Sequence, residues 1–351
     1  MAFRQGRSDE ALASARNALL LGTADRETAL LTIRLAIERG VPTPEILALL
    51  KGMSSAGFWE ACKSCDRPDL FQALLDQSTA SDGAISYKLV RPLTVAATRV
   101  ENFSAARSIV IKGFEAFLKA DRKADSGMRG SLGPAGLTAL EDAAETLNAA
   151  GIRFFAAAGT ALGIVREGAP LKHDVDIDIG IFEEDFDRQR LTDIFLIDPR
   201  FWPDAPHDKS PKIGLKHKSG ASIDLFLFRK EGDAYYHDGV FVRWRNDIFE
   251  LEPRKVGRAT VKIPANADHY LTENYGDWRV PDKTFDAFVS GPNREITWPD
   301  YYGVHLLRAA FIAYTNGNME KFHYMADQVQ QDTSIPPAEK AFIGRIVEMA
   351  S

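Results

Sequence analysis

Acidic side chains occupy every second position in the segment Asp174-Val175-Asp176-Ile177-Asp178-Ile179-Gly180. Such alternation is typical of a β-strand, in which side chains at i and i+2 project from one face about 6.6 Å apart. Three like charges on one face raise one another's pKa, and a divalent cation such as Mg²⁺ or Mn²⁺, which prefers oxygen ligands, removes that cost. Two interpretations of this strand stay open: a metal site, or a solvated edge strand whose outward acids prevent further pairing.

A second acid-bearing strand is indicated by the apolar run Ile223-Asp224-Leu225-Phe226-Leu227-Phe228. A lone carboxylate inside such a strand is costly unless it is paired or bound to a metal. Asp224 is therefore either a partner of the first group of acids or one half of a salt bridge. Lys212, Lys216 and Lys218 alternate just before this strand and share a face, which either binds an anionic donor or is exposed.

A candidate phosphate-binding turn, Gly159-Thr160, follows a buried strand that we expect near residues 152–156. Glycine at a strand-to-helix turn lets backbone amides approach a ligand, and the helix N-terminus offers unpaired N–H groups to phosphate. A Gly-Thr turn alone is common. Its combination with an acid-x-acid strand and an acid on a later strand resembles the nucleotidyltransferase fold, whose members hold two metals and a nucleoside phosphate with these elements.

The elements that must position these side chains predict an α+β fold. We expect a nucleotidyltransferase-like mixed sheet core flanked by an N-terminal helical domain and a C-terminal helical tail. An amphipathic helix is expected over Leu137–Ala150, and a hairpin is expected from Lys212–Lys218 and Ala221–Phe228. The Gly-, Ser- and Lys-containing stretch Asp121–Gly136 is the expected linker. The expected domains are a helical arm, a catalytic domain and a helical tail, over residues 1–125, 126–300 and 301–351 respectively.

Composition narrows the class of protein. The chain has 351 residues, of which 45% are hydrophobic, so wholesale disorder is excluded. A formal net charge of −6 disfavours a general nucleic-acid-binding surface. No apolar run is long enough to predict a transmembrane segment. The lone Cys62-Lys63-Ser64-Cys65 motif is interpreted as structural, and two cysteines agree with a reducing compartment. We therefore expect a cytoplasmic location, including peripheral binding at the inner face of the membrane.

The Gly-Thr turn and the acidic strand also resemble a particular family. Gly159-Thr160-Ala161-Leu162-Gly163-Ile164-Val165-Arg166-Glu167-Gly168 is similar to the LicD/fukutin family of phosphotransferases, which have Gly-Thr, Leu-Gly, Arg and a run of Asp at this spacing. Asp176–Phe182 is similar to fukutin-type sequences, and Tyr270–Pro281 resembles the family's Tyr-Gly-Asp segment. The resemblance covers roughly residues 135–285. Many bacterial members carry Pro-Trp before three consecutive Asp, whereas this chain has Lys172, His173 and Val175 at the differing positions.

This resemblance implies transfer of a phospho-alcohol, such as phosphocholine or ribitol phosphate, from a CDP-activated donor to a glycan hydroxyl. The setting would be surface-polysaccharide or glycoconjugate synthesis, with Mg²⁺ or Mn²⁺ as cofactor. Asp176 and Asp178 would ligate the metal, and Asp224 would be a further ligand or the general base. The expected substrate-binding residues are Gly159 and Thr160 at the donor phosphate, Arg166 as its counter-charge, Asp174 in support of the ligands, and His173 and Lys216.

Two other functions stay open at this point. The same acids would serve a nucleotidyltransferase that moves NMP from NTP to a small molecule, a protein or RNA. The altered flank of the acidic strand is equally consistent with an inactive helical adaptor whose core is nucleotidyltransferase-like. The N-terminal helices would either dock a partner protein or cover the sheet.

Overall fold

The computed structural model describes residues 10, 12–14, 16–17, 26–51, 53–120, 131–203 and 211–350. The chain divides into two compact units, one formed by Met1–Ser126 with Asp300–Ser351 and the other by Gly127–Pro299. The helices at the two ends of the chain, which the sequence analysis treats as a separate arm and tail, therefore belong to one unit. The sheets belong to the other unit.

The first unit is built from helices in its described part. The second unit has its own helices, which pack against its sheet. In chain order they are α1 (Arg26–Glu38), α2 (Thr43–Leu50), α3 (Ser55–Ser64), α4 (Pro68–Ser78), α5 (Val90–Arg99), α6 (Phe103–Lys119), α7 (Gly133–Ala149), α8 (Ala158–Glu167), α9 (Arg188–Ile197), α10 (Ala267–Tyr275), α11 (Pro299–Thr315), α12 (Met319–Gln331) and α13 (Pro337–Ala350). Helices α7 to α10 belong to the second unit, and the others to the first.

The core of the first unit joins helices from both ends of the chain. The Phe114 ring of α6 packs edge-on against Phe311 of α11, with centroids 5.0 Å apart, and contacts Phe322 of α12. Cys62 and Cys65 are both buried in this unit and unbridged, and burial raises the pKa of the Cys65 thiol to about 11. Protonated, buried thiols are chemically inert, which favours the structural interpretation of this motif.

The strands of the second unit form two sheets. In chain order they are β1 (Phe154–Ala156), β2 (Asp176–Phe182), β3 (Phe201–Pro203), β4 (Lys212–His217), β5 (Ser222–Glu231), β6 (Ala234–Asp238), β7 (Val242–Asp247), β8 (Leu251–Val256), β9 (Ala259–Pro264) and β10 (Arg294–Ile296).

Strand β5 is the hub of the larger, mixed sheet. It pairs in parallel with β2 and antiparallel with β4 and β6, and the order β1-β2-β5-β6-β7-β10 continues on either side. Strands β8 and β9 form a separate antiparallel pair. The combination of helices with a mixed sheet confirms the α+β class.

One face of the sheet is buried under helices. Ile177, Ile179 and Ile181 of β2 are fully buried in a cluster with residues of α7, α9, β5 and β9. Because side chains alternate along a strand, the residues between these isoleucines must face the other side of the sheet. The core of the second unit therefore dictates where the acids of β2 point.

The hairpin of β4 and β5 is confirmed by its antiparallel register, with Gly220 in the turn at a φ of 90°. The predicted linker extends too far towards the C-terminus. Its last residues, Gly133–Gly136, form the first turn of α7, with Pro134 in that turn. The rest of that stretch, residues 121–130, lies outside the described residues. Among the helices that the structure describes, none is both long and apolar enough to cross a bilayer.

Candidate active site

Two parallel strands bring three carboxylates to one point. In the register of β2 and β5, Asp178 lies beside Asp224, and Asp176 lies beside Ser222. Parallel neighbours project to the same face, so the acids of both strands share the face opposite the isoleucine core. One carboxylate oxygen from each of Asp176, Asp178 and Asp224 lies within 4.8 Å of the others. We call these three residues the acid triad.

The turn at Gly159 is fastened directly to the acid triad. The Gly159 N–H donates to Asp178 Oδ2 at 3.2 Å, and the Asp178 N–H donates to the buried Thr160 hydroxyl at 2.8 Å. A Cβ at Gly159 would lie 2.6 Å from Asp174 Oδ2, which is closer than real Cβ contacts. A side chain at this position would therefore push the Asp174 carboxylate aside, and the first turn of α8 lies against the acids.

A tyrosine from a distant helix supports the same turn. Ala158 has a φ of 41°, in the left-handed region that residues with a Cβ rarely adopt. Its N–H donates to the hydroxyl of Tyr270 on α10 at 3.1 Å, and Tyr270 is buried. No local pattern in the sequence predicts this role of Tyr270, because the hydrogen bond joins residues that are far apart in the chain.

The electrostatics of the acid triad are those of crowded like charges. Burial, together with the neighbouring carboxylates of Asp224 and Asp174, raises the pKa of Asp176. Burial and the charge on Asp176 raise the pKa of Asp178 well above its ordinary value. Burial also raises the pKa of Asp174, whose Oδ1 accepts the Val175 N–H at 2.9 Å. The cluster therefore disfavours its own ionisation unless a cation is present.

Lys212 supplies one positive charge to this cluster. Its ammonium contacts Asp224 Oδ2, and it lies 5.5 Å from the centre of the Phe226 ring. The salt-bridge alternative for Asp224 and its convergence with the other acids are thus both present. Alternation of lysines predicts the strand face on which Lys212 lies, but no pattern in the sequence predicts its contact with Asp224.

The remaining predicted substrate residues lie at different distances from the triad. Lys216 shares the triad face, since its cross-strand partner is Ser222, and its Nζ donates to the Ser222 hydroxyl at 2.6 Å. His173 is exposed just before Asp174. Arg166 lies in the last turn of α8, about 10 Å along the helix axis from Gly159 at 1.5 Å per residue. Within the described chain its side chain contacts Glu167 at 3.4 Å, and its role at the donor stays a prediction.

A second group of metal-ligand side chains lies on β7 and α10. Asp247, His269 and Glu273 also have ligand atoms within 4.8 Å of one another, and we call them the Asp247 cluster. Arg245 donates to Asp247 Oδ1 at 2.9 Å, and His269 Nε2 lies 3.0 Å from Asp247 Oδ2. Asn246 Nδ2 and the Asp247 N–H donate to the two oxygens of Glu273 at 3.1 and 3.0 Å. Every carboxylate oxygen of this cluster therefore has a partner in the protein.

The acid triad fits a divalent cation on its own geometry. It offers three hard oxygen ligands from rigid strands, and among the described residues the Lys212 ammonium contacts one of them. Mg²⁺ and Mn²⁺ match this donor set. Such a cation would be held by Asp176, Asp178 and Asp224, with the Gly159 turn beside it.

Comparison with known proteins agrees with this geometry. Residues 151–266 match the family model described as LicD/FKTN/FKRP, nucleotidyltransferase domain. The chain is 28% identical over 174 residues to ribitol-5-phosphate transferase FKTN of Homo sapiens and to that of Mus musculus, covering 46% of this chain and 37% of each relative. It is 26% identical over 152 residues to an uncharacterised protein of Rickettsia typhi, covering 40% of this chain and 45% of that relative.

The matched region holds β1, the Gly159 turn, both acid-bearing strands and the β8–β9 pair. The chain spans little more than a third of the length of the FKTN relatives. Over residues 151–266, this chain is therefore similar to the LicD/fukutin family.

Proposed function

We propose that the second unit transfers a phospho-alcohol from a CDP-activated donor to a hydroxyl group of a glycan, with Mg²⁺ or Mn²⁺ at the acid triad. The observation that carries this proposal is the convergence of Asp176, Asp178 and Asp224 beside the Gly159 turn. Phosphoryl transfer needs charge neutralisation and in-line positioning more than covalent chemistry from the protein; a cation held by the triad would supply the first, and the adjacent Gly159 turn would contribute to the second. The expected setting is surface-polysaccharide or glycoconjugate synthesis.

The reaction balances as a single displacement at phosphorus. The acceptor hydroxyl oxygen forms a bond to the phosphorus that carries the alcohol, the bond from that phosphorus to the bridging oxygen breaks, and CMP leaves. The acceptor proton passes to a base. A cation at the triad would stabilise the charge on the attacking and leaving oxygens.

Residues of this chain would orient the donor and hold the cation. The backbone of the first turn of α8 would orient the donor phosphate, since helix N-termini favour anions. Lys216, on the same sheet face, would add positive charge to the donor side. Asp176, Asp178 and Asp224 would hold the cation, because their oxygens already lie within reach of one another. Asp224 keeps the second assignment of general base if the cation takes only the other two.

The ribitol donor has specific support. Two relatives are named ribitol-5-phosphate transferases, and the LicD/FKTN/FKRP family model matches residues 151–266, which contain the acid triad. We therefore propose CDP-ribitol as the first donor to test and CDP-choline as the second. A cytoplasmic enzyme that reaches its glycan at the inner membrane face completes the proposal.

The test measures CMP released from each donor by the purified chain with Mn²⁺ or Mg²⁺, with and without a panel of glycan acceptors. We expect CMP from the wild type and background levels from an Asp176→Asn, Asp178→Asn double variant, which keeps the shape of both side chains but removes their charge. Equal, background CMP release from both proteins across all donors would contradict the proposal. Pyrophosphate release from NTP would instead identify a nucleotidyltransferase, and no turnover of either class would identify a binding protein.

A further inference from the structure

Lys212 is placed where a cation and a donor phosphate would both compete for it. It begins β4, and its cross-strand partner on β5 is Phe226, two residues beyond Asp224. Gly214, which has no side chain, lies directly opposite Asp224. The Lys212 ammonium reaches over this position to Asp224 Oδ2.

The Lys212 ammonium occupies a carboxylate that a cation would also need. Three carboxylates converge within 4.8 Å of one another, and the ammonium contacts Asp224 Oδ2 among them. A divalent cation and the ammonium would therefore compete for Asp224.

The two partners differ in their freedom to move. The Asp224 side chain is 10% exposed, whereas the Lys212 side chain is 38% exposed. Four rotatable bonds let a lysine ammonium reposition without moving the backbone, and the Lys212 ammonium lies 5.5 Å from the centre of the Phe226 ring on the same strand as Asp224. A divalent cation that binds Asp224 would therefore displace the ammonium rather than the carboxylate.

We propose that Lys212 is an exchangeable counter-ion of the acid triad: its ammonium holds Asp224 before a divalent cation binds, gives up that carboxylate to the cation, and then contacts the phosphate of the incoming diphosphate donor. The first exchange needs only the triad to bind a metal. The final contact rests on the proposed function.

For an ordinary structural salt bridge, we expect a different change in metal affinity when Lys212 is removed. If the pair only fastened β4 to β5, removing Lys212 would lower stability and leave metal affinity unchanged or weaker. Removing a competing positive charge instead raises metal affinity, because the cation no longer has to displace or approach an ammonium. The sign of the change in metal affinity therefore separates the two roles.

The test compares Lys212→Met with Lys230→Met, which removes an exposed positive charge from the same strand as Asp224. Without nucleotide, we expect the Kd for Mn²⁺, from calorimetry or electron paramagnetic resonance, to fall on the order of tenfold in Lys212→Met and to stay unchanged in Lys230→Met. With Mn²⁺ saturating, we expect CDP to bind on the order of tenfold more weakly to Lys212→Met. Lys212→Arg, which keeps the charge, should retain wild-type Mn²⁺ affinity.

A measurement on the wild type is independent of whether the variants fold. Reductive methylation followed by mass spectrometry reports how accessible each lysine amine is, with Lys230 as the internal reference. We expect Mn²⁺ to speed the labelling of Lys212, and Mn²⁺ with CDP to slow it again. Labelling that does not respond to Mn²⁺, or a Mn²⁺ affinity that is unchanged or weaker in Lys212→Met, overturns the proposal.

The outcome is separable from that of the proposed function. CMP release from a CDP-linked donor with no effect of Lys212 on Mn²⁺ binding would reject the counter-ion role alone. A Mn²⁺-dependent release of Lys212 without CMP release from any donor would reject the transferase and keep the exchange.

Discussion

The acid triad and the Asp247 cluster look alike by residue type and differ in how their charges are met. Each brings three metal-ligand side chains within 4.8 Å. In the Asp247 cluster, an arginine, a histidine, an amide and a backbone N–H satisfy all four carboxylate oxygens. In the acid triad, carboxylates face carboxylates, and the described contacts to them come from the Lys212 ammonium and the Gly159 N–H.

The pKa shifts run in opposite directions for the same reason. Hydrogen bonds from His269 and Arg245 lower the pKa of Asp247, whereas burial and neighbouring carboxylates raise the pKa of Asp176. The first group gains from being ionised, and the second is strained by it. Proximity of acids is thus a weak sign of a metal site, and proximity of acids that raise one another's pKa is a stronger one.

Measurement of Mn²⁺ binding should distinguish the two clusters by the largest effect. Asp178→Asn removes one ligand charge from the triad, and we expect the affinity for Mn²⁺ to fall on the order of a hundredfold or more. Asp247→Asn should leave the affinity and the stoichiometry unchanged, because its oxygens already have protein partners. Titration followed by electron paramagnetic resonance measures both. Loss of a bound Mn²⁺ in Asp247→Asn would show that the second cluster is also a metal site.

Stability should respond in the opposite order. Glu273→Ala leaves the Asn246 amide and the Asp247 N–H without their acceptor, and we expect the free energy of unfolding to fall by about 1–3 kcal/mol. Asp178→Asn in metal-free protein should instead preserve or raise stability, since it relieves buried like-charge repulsion. Urea unfolding with a chelator present measures both variants.

Glu273→Gln is the matched control for that experiment, because its amide oxygen still accepts one of the two hydrogen bonds. We expect a smaller loss than for Glu273→Ala. Equal stability of Glu273→Ala and the wild type would contradict a fastening role for this cluster.

The smallest expected effect is a difference in pH dependence. The pKa of Asp176 is raised from 3.8 to about 7, so the folded state binds the proton more tightly than the unfolded state. The contribution of Asp176 to the stability of metal-free protein is therefore greatest below pH 3.8 and is lost as the pH rises through about 7. The pKa of Asp247 is lowered, so its effect on stability has the opposite sign. The ionised carboxylate adds stability at pH values above its ordinary pKa of 3.8, and this stability is lost as the pH falls below that value.

Unfolding free energies at about pH 5 and about pH 8, for the wild type, Asp176→Asn and Asp247→Asn, measure this difference. We expect Asp176→Asn to flatten the decline with rising pH and Asp247→Asn to leave it in place. Saturating Mn²⁺ should also remove the decline in the wild type. A decline that survives in Asp176→Asn would assign it to other groups.

Local patterns carried much of this fold and of the candidate site. Alternation of acids and isoleucines predicts β2 and the face on which Asp176 and Asp178 lie, because a strand has a period of two. The run around Asp224 predicts a buried strand, and Ser219-Gly220 predicts the turn that joins it to β4. These inferences depend on neighbours in the chain, where pattern is informative.

What escaped prediction depends on register between distant segments. The contact of Lys212 with Asp224 follows from a cross-strand offset, and that of Tyr270 with Ala158 joins a helix to a turn far earlier in the chain. The Asp247 cluster combines a strand end with one face of α10, and no single period connects them. The glycines of residues 133–136 read as a linker, yet Pro134 and tertiary packing begin α7 there.

Asp178 and Asp224 sit side by side, but the chain between them must first supply α9, β3 and β4 before β5 can lie parallel to β2. Pairings between distant strands form slowly, because a long loop must close before any contact rewards it. Neither β2 nor β5 alone carries all three carboxylates of the acid triad, so the cation that we propose would meet its full ligand set only after the two strands pair. Uptake of a paramagnetic ion such as Mn²⁺ would then report, during refolding, that this pair of distant strands has formed.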